Sequence, residues 1–493
     1  MPDTNKENWL DRLSILFILA GVIAAVVNVL HNRSLWIDEA MLSLNIINRT
    51  YSQLSQPLGL NQIAPIGFLW AEKFFSELFN QKDWALRIFP MLCFFCSIPL
   101  FFLLTRQLFS ESRIAFYATA LFAMNLSLLY YSFEVKQYAV DVLVTLLIMR
   151  STWQYYISSK TKCFIILIIV GIISVWFSNI AVILLFSSVL FLTIQQLKSK
   201  SAINARFMVL VLSWLISFGL YYLMYLWKHP TEAYMKMYWS KKRAFMPHDF
   251  FSKDFFYFFV RKGKMIFTDL LYSGNLGIAL LLFFFIGIVY LFDKRKLMLF
   301  LLLPICIHLF LSFLEIYPFD LRLVLYQIPM LTIIVVVGIF FIYQRFSLRY
   351  KFISVLFLLM PLLFFLSGLT ASVPFEREEM KKVMNLVESN IKDQDNVYIY
   401  CSSDFAFKFY KKDYPNISEK AQIVNGGFHR ENWNLHEQEL SKLKGRSWLI
   451  FSQVYYLNGK NEEDYIIGMM LKHGFRQIQQ FKPEGAHVYE FIR

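Results

Sequence analysis

Two adjacent carboxylates, Asp38 and Glu39, stand in the stretch Leu35-Trp36-Ile37-Asp38-Glu39-Ala40, just past the first long apolar run of the chain. Acids at the mouth of a membrane helix are costly to desolvate, so the pair belongs at water level or in a polar cavity. Either acid could take a proton as a general base. The plain alternative is that they solvate a loop or cap a helix, with Glu39 in its first turn. A second set lies in Tyr130-Tyr131-Ser132-Phe133-Glu134-Val135-Lys136-Gln137-Tyr138-Ala139-Val140-Asp141. If this stretch is helical, Glu134, Tyr138 and Asp141 share one face and Asp141 enters the membrane. Lys136 and Arg87 are its candidate partners, and the alternative is a structural ion pair that holds a bundle together. Arg87 closes Asp83-Trp84-Ala85-Leu86-Arg87, and Arg322 follows Tyr317-Pro318-Phe319-Asp320. Each cation could snorkel to the surface or face the same outer cavity. His308 and Glu315 fall seven apart in another apolar run, where a lone histidine is more often satisfied by a neighbour than used as a ligand.

Membrane helices must position these groups. The chain has 493 residues, is 57% hydrophobic and holds 52 Phe. Runs such as 278–292 and 323–343 have almost no polar face, and runs near the ~20-residue spanning length recur, which means a polytopic helical membrane protein. Eleven spans are predicted, at about 13–30, 88–105, 114–131, 138–152, 163–177, 180–196, 207–227, 275–292, 297–315, 322–343 and 351–370. The first lacks a small-residue cleavage pattern and reads as a retained span. Of five cysteines, four lie in apolar runs, which argues against a disulfide framework. Cys93-x-x-Cys96 has no second pair and no nearby histidine, so it reads as helix core. The formal charge of +14 would suggest nucleic acid in a soluble chain. Here it reflects positive-inside bias and contact with anionic lipid, so membrane lipids are the expected partner and nucleic acid is not.

Short loops give the orientation. With the N-terminus inside, six inner segments carry the Lys and Arg excess, among them Arg106 and Arg113, then Lys198, Lys200 and Arg206, then Lys294, Arg295 and Lys296. An odd number of spans then puts the C-terminus outside the cytoplasm. Two long outer loops are predicted, about 31–87 and 228–271. The first holds Asp38 and Glu39, and Pro65 can start an interfacial helix with Trp70 and Phe74 as anchors. The second is aromatic and basic, with Tyr238, Trp239, Lys242, Arg243, Arg261 and Lys262. It serves either as an interface anchor or as a contact for a lipid phosphate. The first domain is thus 1–370. Residues 371–493 are more charged and read as an α/β domain: a helix through Met380, Val383, Met384 and Val387, strands near 396–401, 421–424 and 447–452, a helix at 462–472, and a hairpin across Pro483-Glu484-Gly485. No Gly-rich phosphate loop or metal-ligand spacing stands out there, so this domain reads as accessory.

Taken in order, Trp36-x-Asp38-Glu39-Ala40, Ala64-Pro65, Leu86-Arg87, Ser132-x-Glu134-x-Lys136-x-Tyr138 and Arg322 before Pro329 carry a resemblance. The chain resembles the GT-C superfamily of polyprenyl-phosphate-sugar-dependent glycosyltransferases. It looks closest to the bacterial branch of glycosyltransferase family 39-like proteins, related to protein O-mannosyltransferases and lipid A aminoarabinose transferase. Two positions depart from that branch. Lys136 stands where arginine is frequent, which keeps the charge and loses bidentate phosphate geometry. Ala64 stands where a Pro-Pro pair is common. The resemblance implies a GT-C fold of about 11 transmembrane helices with a C-terminal extracytoplasmic α/β domain, set in the plasma (inner) membrane. It implies transfer of a sugar, with inversion, from a polyprenyl phosphate carrier to a lipid, glycan or protein acceptor at the outer face. Asp38 and Glu39 are then catalytic, and Arg87, Glu134, Lys136, Tyr138 and Arg322 bind substrate. One carboxylate serves the acceptor hydroxyl as general base, and cations stabilise the departing phosphate without a general acid. A divalent metal at Asp38 and Glu39 is compatible with the residues. The rival is a transporter or flippase of lipid-linked sugars, which would rather scatter paired charges near the midplane or break its helices there. A third alternative is a structural or sensory membrane protein whose outer domain binds a partner.

Overall fold

The computed structural model describes residues 4–199, 205–229, 232–271, 277–346, scattered positions between 352 and 367, and 373–493 apart from 431 and 458. The eleventh predicted span, 351–370, lies largely outside these residues. The chain forms two compact units, Met1–Leu30 with Arg49–Val373, and His31–Asn48 with Pro374–Arg493.

The first unit is helical. Among the described residues, six stretches are long and apolar enough to cross a membrane: Trp9–His31, Ala85–Leu108, Ala181–Lys198, Ala205–Lys228, Gly277–Phe313 and Leu321–Phe346. Gly277–Phe313 holds the eighth and ninth predicted spans, separated by a 3-10 turn at Phe292–Lys294. Helices Tyr138–Ser158 and Thr161–Phe177 match the fourth and fifth. The protein is thus a polytopic helical membrane protein.

The predicted third span is not one helix. It breaks into Ser112–Ala123 and Leu126–Tyr131 at Asn125. The Asn125 side chain accepts from the Leu128 N–H at 2.9 Å and donates to the carbonyls of Leu270 and Leu271. An asparagine favours the start of a helix because its side chain can satisfy an orphan amide there. Here it also ties that start to the second long loop.

Helix Ile328–Phe346 is buried at every position from Ile328 to Phe340, as expected of a helix that is apolar all round. It packs on Gly277–Leu291 at backbone distance. A Cβ at Gly338 would stand 1.9 Å from the Phe283 carbonyl, and one at Gly287 would stand 2.0 Å from that of Ile334. Small residues permit such approach where lipid offers no hydrophobic drive between helices.

The second unit holds a five-stranded sheet. Its strands are β1 (Asn396–Ile399), β2 (Gln422–Asn425), β3 (Ser447–Ser452), β6 (Arg476–Phe481) and β7 (Ala486–Ile492). A two-stranded ladder, β4 (Tyr456–Leu457) with β5 (Lys460–Asn461), lies apart from it. The order is β2-β1-β3-β7-β6, with β1 parallel to both neighbours and β7 antiparallel to β3 and β6. Helix Met380–Asn390 buries Met380, Val383, Met384 and Val387, the predicted face. Helix Glu462–Lys472 ends before Gly474 at φ +82°, a conformation that suits glycine after a helix. Tyr398, Leu449, Phe451, Ile466, Met470 and Phe491 form the centre of the core.

The segment 31–48 belongs to this second unit by its contacts. Read as part of the loop 31–87, it had no visible reason to leave its sequence neighbours. Its partners lie more than 340 residues away along the chain.

Candidate active site

Asp38 and Glu39 open the helix Ile37–Asn48. The helix start is fixed from several sides. The Leu35 N–H donates to the Tyr410 hydroxyl at 2.8 Å, and the Lys381 N–H donates to Ser34 Oγ at 2.9 Å. The Arg377 guanidinium lies 3.4 Å from the centre of the Trp36 ring. The Ile37 N–H donates to Glu378 Oε2 at 3.1 Å, so a carboxylate distant in sequence caps this N-terminus. Such a charge is favoured where helix amides are unsatisfied. Burial pushes the Glu378 carboxyl up to about 7, and the charge of Glu39 adds to that, against the hydrogen bond from Gln453, the Arg377 charge and the Ile37 amide.

The two acids are not equivalent. Glu39 is fully buried, and its Oε2 accepts from Arg33 Nη1 at 2.9 Å and from the Trp36 N–H at 3.4 Å. The second contact is half of a capping box, in which the third helical residue reaches back to the cap amide. The helix-cap alternative therefore describes Glu39 well. Asp38 is partly exposed on the same first turn. Because Arg33 already neutralises Glu39, the arrangement does not suit a metal held between the two carboxylates.

The other predicted residues stand in the first unit. Residues 132–137 form a turn and not a continuous helix. Ser132 ends the preceding helix, its hydroxyl donating to the Leu129 carbonyl at 2.7 Å, and the Lys136 N–H donates to the Glu134 carbonyl at 2.7 Å. Glu134 therefore does not share a helical face with Tyr138 and Asp141. It reaches the same neighbourhood from the turn. Glu134, Lys136 and Tyr138 are all buried, and the Tyr138 ring lies 5.1 Å from that of Tyr131. The Lys136 ammonium donates to Gln62 Oε1 at 2.7 Å. Arg87 is fully buried, with its guanidinium 4.4 Å from the Phe133 ring. Arg87, Glu134 and Lys136 thus bracket a single turn.

Asp141 has a simpler role. Its Oδ1 accepts from the Ser178 hydroxyl at 2.6 Å, which joins two neighbouring helices. The partner is this hydroxyl and not the expected cation. His308 is likewise satisfied: Nε2 lies 3.1 Å from the Pro318 carbonyl and Nδ1 3.0 Å from the Tyr326 hydroxyl.

Two loop elements frame the turn. Helix Ile66–Leu78 begins after Pro65, and the Ala64 carbonyl accepts from the Tyr225 hydroxyl at 2.8 Å. Trp70 and Phe74 are exposed on it, as predicted for interfacial anchors. The second loop is fastened to the segment 312–322. The Phe319 N–H donates to the Ala244 carbonyl at 2.8 Å, and the Lys262 ammonium meets Asp320 at 2.7 Å. The Trp239 ring lies 5.5 Å from the Arg322 guanidinium. An aromatic of the second loop therefore reaches Arg322.

Sequence inspection passed over His429, His436 and Glu439. They cluster in the second unit with ligand-capable atoms within 4.8 Å of one another. The one available signal was His436-x-x-Glu439, which puts both side chains on one face of a helical turn.

Comparison with known proteins follows the same lines. Residues 64–225 match the family model described as dolichyl-phosphate-mannose-protein mannosyltransferase. That range contains Pro65, Arg87, Glu134, Lys136 and Tyr138. The chain is similar in structure to ArnT from Cupriavidus metallidurans bound to undecaprenyl phosphate, with a TM-score of 0.56, 11% identity and 97% of each chain covered. The apo structure of the same protein gives a TM-score of 0.53 at the same identity and coverage. No curated protein matches the chain. The chain therefore shares its fold with ArnT, the kind of fold that the resemblance implied.

Proposed function

We propose that this chain is an inverting glycosyltransferase that moves a sugar from a polyprenyl-phosphate carrier to an acceptor hydroxyl at the outer face of the plasma membrane. The observation that carries it is the turn at 132–137, where buried Arg87, Glu134 and Lys136 gather inside the range that matches a lipid-phosphate-mannose family model. Buried cations are expensive in a membrane protein and mark sites that handle charge. The similarity to a protein bound to undecaprenyl phosphate supports the same class of carrier.

In this reaction the acceptor oxygen attacks the anomeric carbon, and the bond from that carbon to the phosphate oxygen breaks. A single displacement inverts the centre. The leaving phosphate takes the electron pair, and Lys136, Arg87 and Arg322 stabilise its charge in place of a general acid. Asp38 accepts the proton of the acceptor hydroxyl. Glu39 positions it by fixing the helix start through Arg33 and the Trp36 amide. Tyr138 and Glu134 line the donor end. No step runs through a metal.

The test is turnover. Purified protein in proteoliposomes with a radiolabelled lipid-linked sugar should form labelled product on an added acceptor extract. Movement of the label across the bilayer without product would instead make the chain a transporter or flippase.

Orientation is tested separately. The Lys and Arg excess of the short inner segments and an odd span count put the C-terminus outside the cytoplasm. A reporter active only outside, fused after Arg493, should be active. Activity of a cytoplasmic reporter alone would overturn the topology.

A further inference from the structure

We propose a divalent transition-metal site, best suited to Zn²⁺, in the second unit, formed by His429, His436 and Glu439. It is separate from Asp38 and from the sugar-transfer chemistry. His429 comes from the loop after β2, and His436 and Glu439 lie one turn apart in helix His436–Leu440. His429 Nε2 stands 2.7 Å from Glu439 Oε1, and His436 Nδ1 stands 3.4 Å from Glu439 Oε2. The two imidazole rings meet edge to face with centres 4.8 Å apart. All three ligand atoms lie within 4.8 Å of one another. Zinc bonds of about 2.0–2.1 Å in a tetrahedron separate ligand atoms by about 3.3 Å. Side-chain shifts of about one ångström therefore convert the observed spacing into a coordination shell.

The surroundings are those of a metal site. His436 uses its second nitrogen, Nε2, on buried Glu462 Oε1 at 2.7 Å. A metal-bound histidine characteristically places its other nitrogen on a carboxylate, which fixes the ring and raises its basicity. Glu462 is held in turn by the Tyr400 hydroxyl at 2.6 Å. The Glu439 carboxylate is aimed by the Gly427 N–H at 2.8 Å and the Tyr398 hydroxyl at 3.2 Å. His436 is fully buried, whereas His429 and Glu439 are 22% and 14% exposed, which leaves an entry path from solvent. Two imidazoles with one carboxylate favour zinc over magnesium or calcium, which prefer oxygen donors. Bound metal would clasp the loop after β2 to helix Glu462–Lys472 through His436 and Glu462.

The experiment uses the full chain in detergent, freed of metal with a chelator. Zn²⁺ is titrated against a chromophoric competitor, and Co²⁺ is added to a second sample for its visible absorption. The expected result is one saturable site per chain, with a Co²⁺ spectrum of low coordination number. His429→Gln, on a partly exposed side chain, should weaken Zn²⁺ at least about tenfold, and Glu462→Gln should weaken it about 10–100-fold, the usual effect of losing an outer-shell partner. His487→Gln removes a histidine that pairs with a different carboxylate, Glu463, and should bind Zn²⁺ like the unmodified chain. Absence of a saturable Zn²⁺ site in the unmodified chain would overturn the proposal and leave the cluster as a histidine–carboxylate network. So would equal affinity in His429→Gln. The Co²⁺ spectrum is read on the unmodified chain and so depends on no variant folding.

Discussion

Replacing Asp38 by asparagine should slow sugar transfer by about 10²–10⁴-fold, the usual cost of losing a general base, and leave donor binding in place. The substitution keeps the size of the side chain and removes its basic oxygen. Asp38 is partly exposed, and the helix start rests on Glu39, Glu378, Ser34 and Tyr410, so the fold should tolerate the change. Glu39 is the wrong acid for the same test. Its charge is buried against Arg33, and removing one partner of a buried ion pair leaves the other uncompensated, at a cost of about 3–5 kcal/mol. A Glu39 variant would therefore lose activity through its fold. Single-turnover transfer and donor binding should be measured on one preparation whose thermal unfolding matches the unmodified chain. Unchanged turnover in Asp38→Asn means that Asp38 is not the base. Loss of folding would return Asp38 to the role of a helix-start residue.

Lys136→Ala should lower donor affinity by about 10–100-fold. A charge-assisted hydrogen bond is worth about 1.5–3 kcal/mol, and each 1.4 kcal/mol is roughly tenfold in affinity. Lys136→Arg keeps the charge and should recover most of the loss, because a guanidinium can engage a phosphate through two donors. Lys442→Ala and Lys444→Ala, on exposed side chains of the second unit, are the controls and should bind donor normally. The Lys136 ammonium also holds Gln62, so Gln62→Ala serves as a further control for local disorder. Donor affinity in Lys136→Ala equal to that of the unmodified chain would remove Lys136 from the phosphate site.

Much of the helical architecture was legible because apolar runs of spanning length have few other uses. Strands in 374–493 were legible for a similar reason, since short apolar runs between turn residues recur there. Asn125 was harder to read. A single polar residue inside an apolar run can face a neighbour or end a helix, and here its contacts with Leu270 and Leu271 decide for the break. The turn at 132–137 lies where the third and fourth predicted spans leave a gap, and only the helical face that the stretch would have formed if continuous is not realised. The spacing of Glu134, Tyr138 and Asp141 fits a helix, but the Ser132 hydroxyl and the Lys136 amide close the chain differently. Paired acids at 38 and 39 stood out as candidates, whereas the difference in their surroundings depends on Arg33, whose side chain has no helical register with Glu39. His429 could not be linked to His436 and Glu439 by periodicity, because it lies in a loop.

The capping of Ile37 by Glu378 also sets a schedule for biosynthesis. The two residues are 341 positions apart, and the larger part of the membrane unit, Arg49–Val373, is encoded between them. At roughly 5–20 residues per second, a ribosome needs about 20–70 s to deliver Glu378 after Ile37. For that interval the Asp38 helix exists without Glu378, Lys381 or Tyr410, while the helices that follow it are being inserted. The residue assigned to proton transfer is therefore made early and its helix start gains these partners late, and a nascent chain stalled before Pro374 carries its membrane helices with an Asp38 segment that lacks all three.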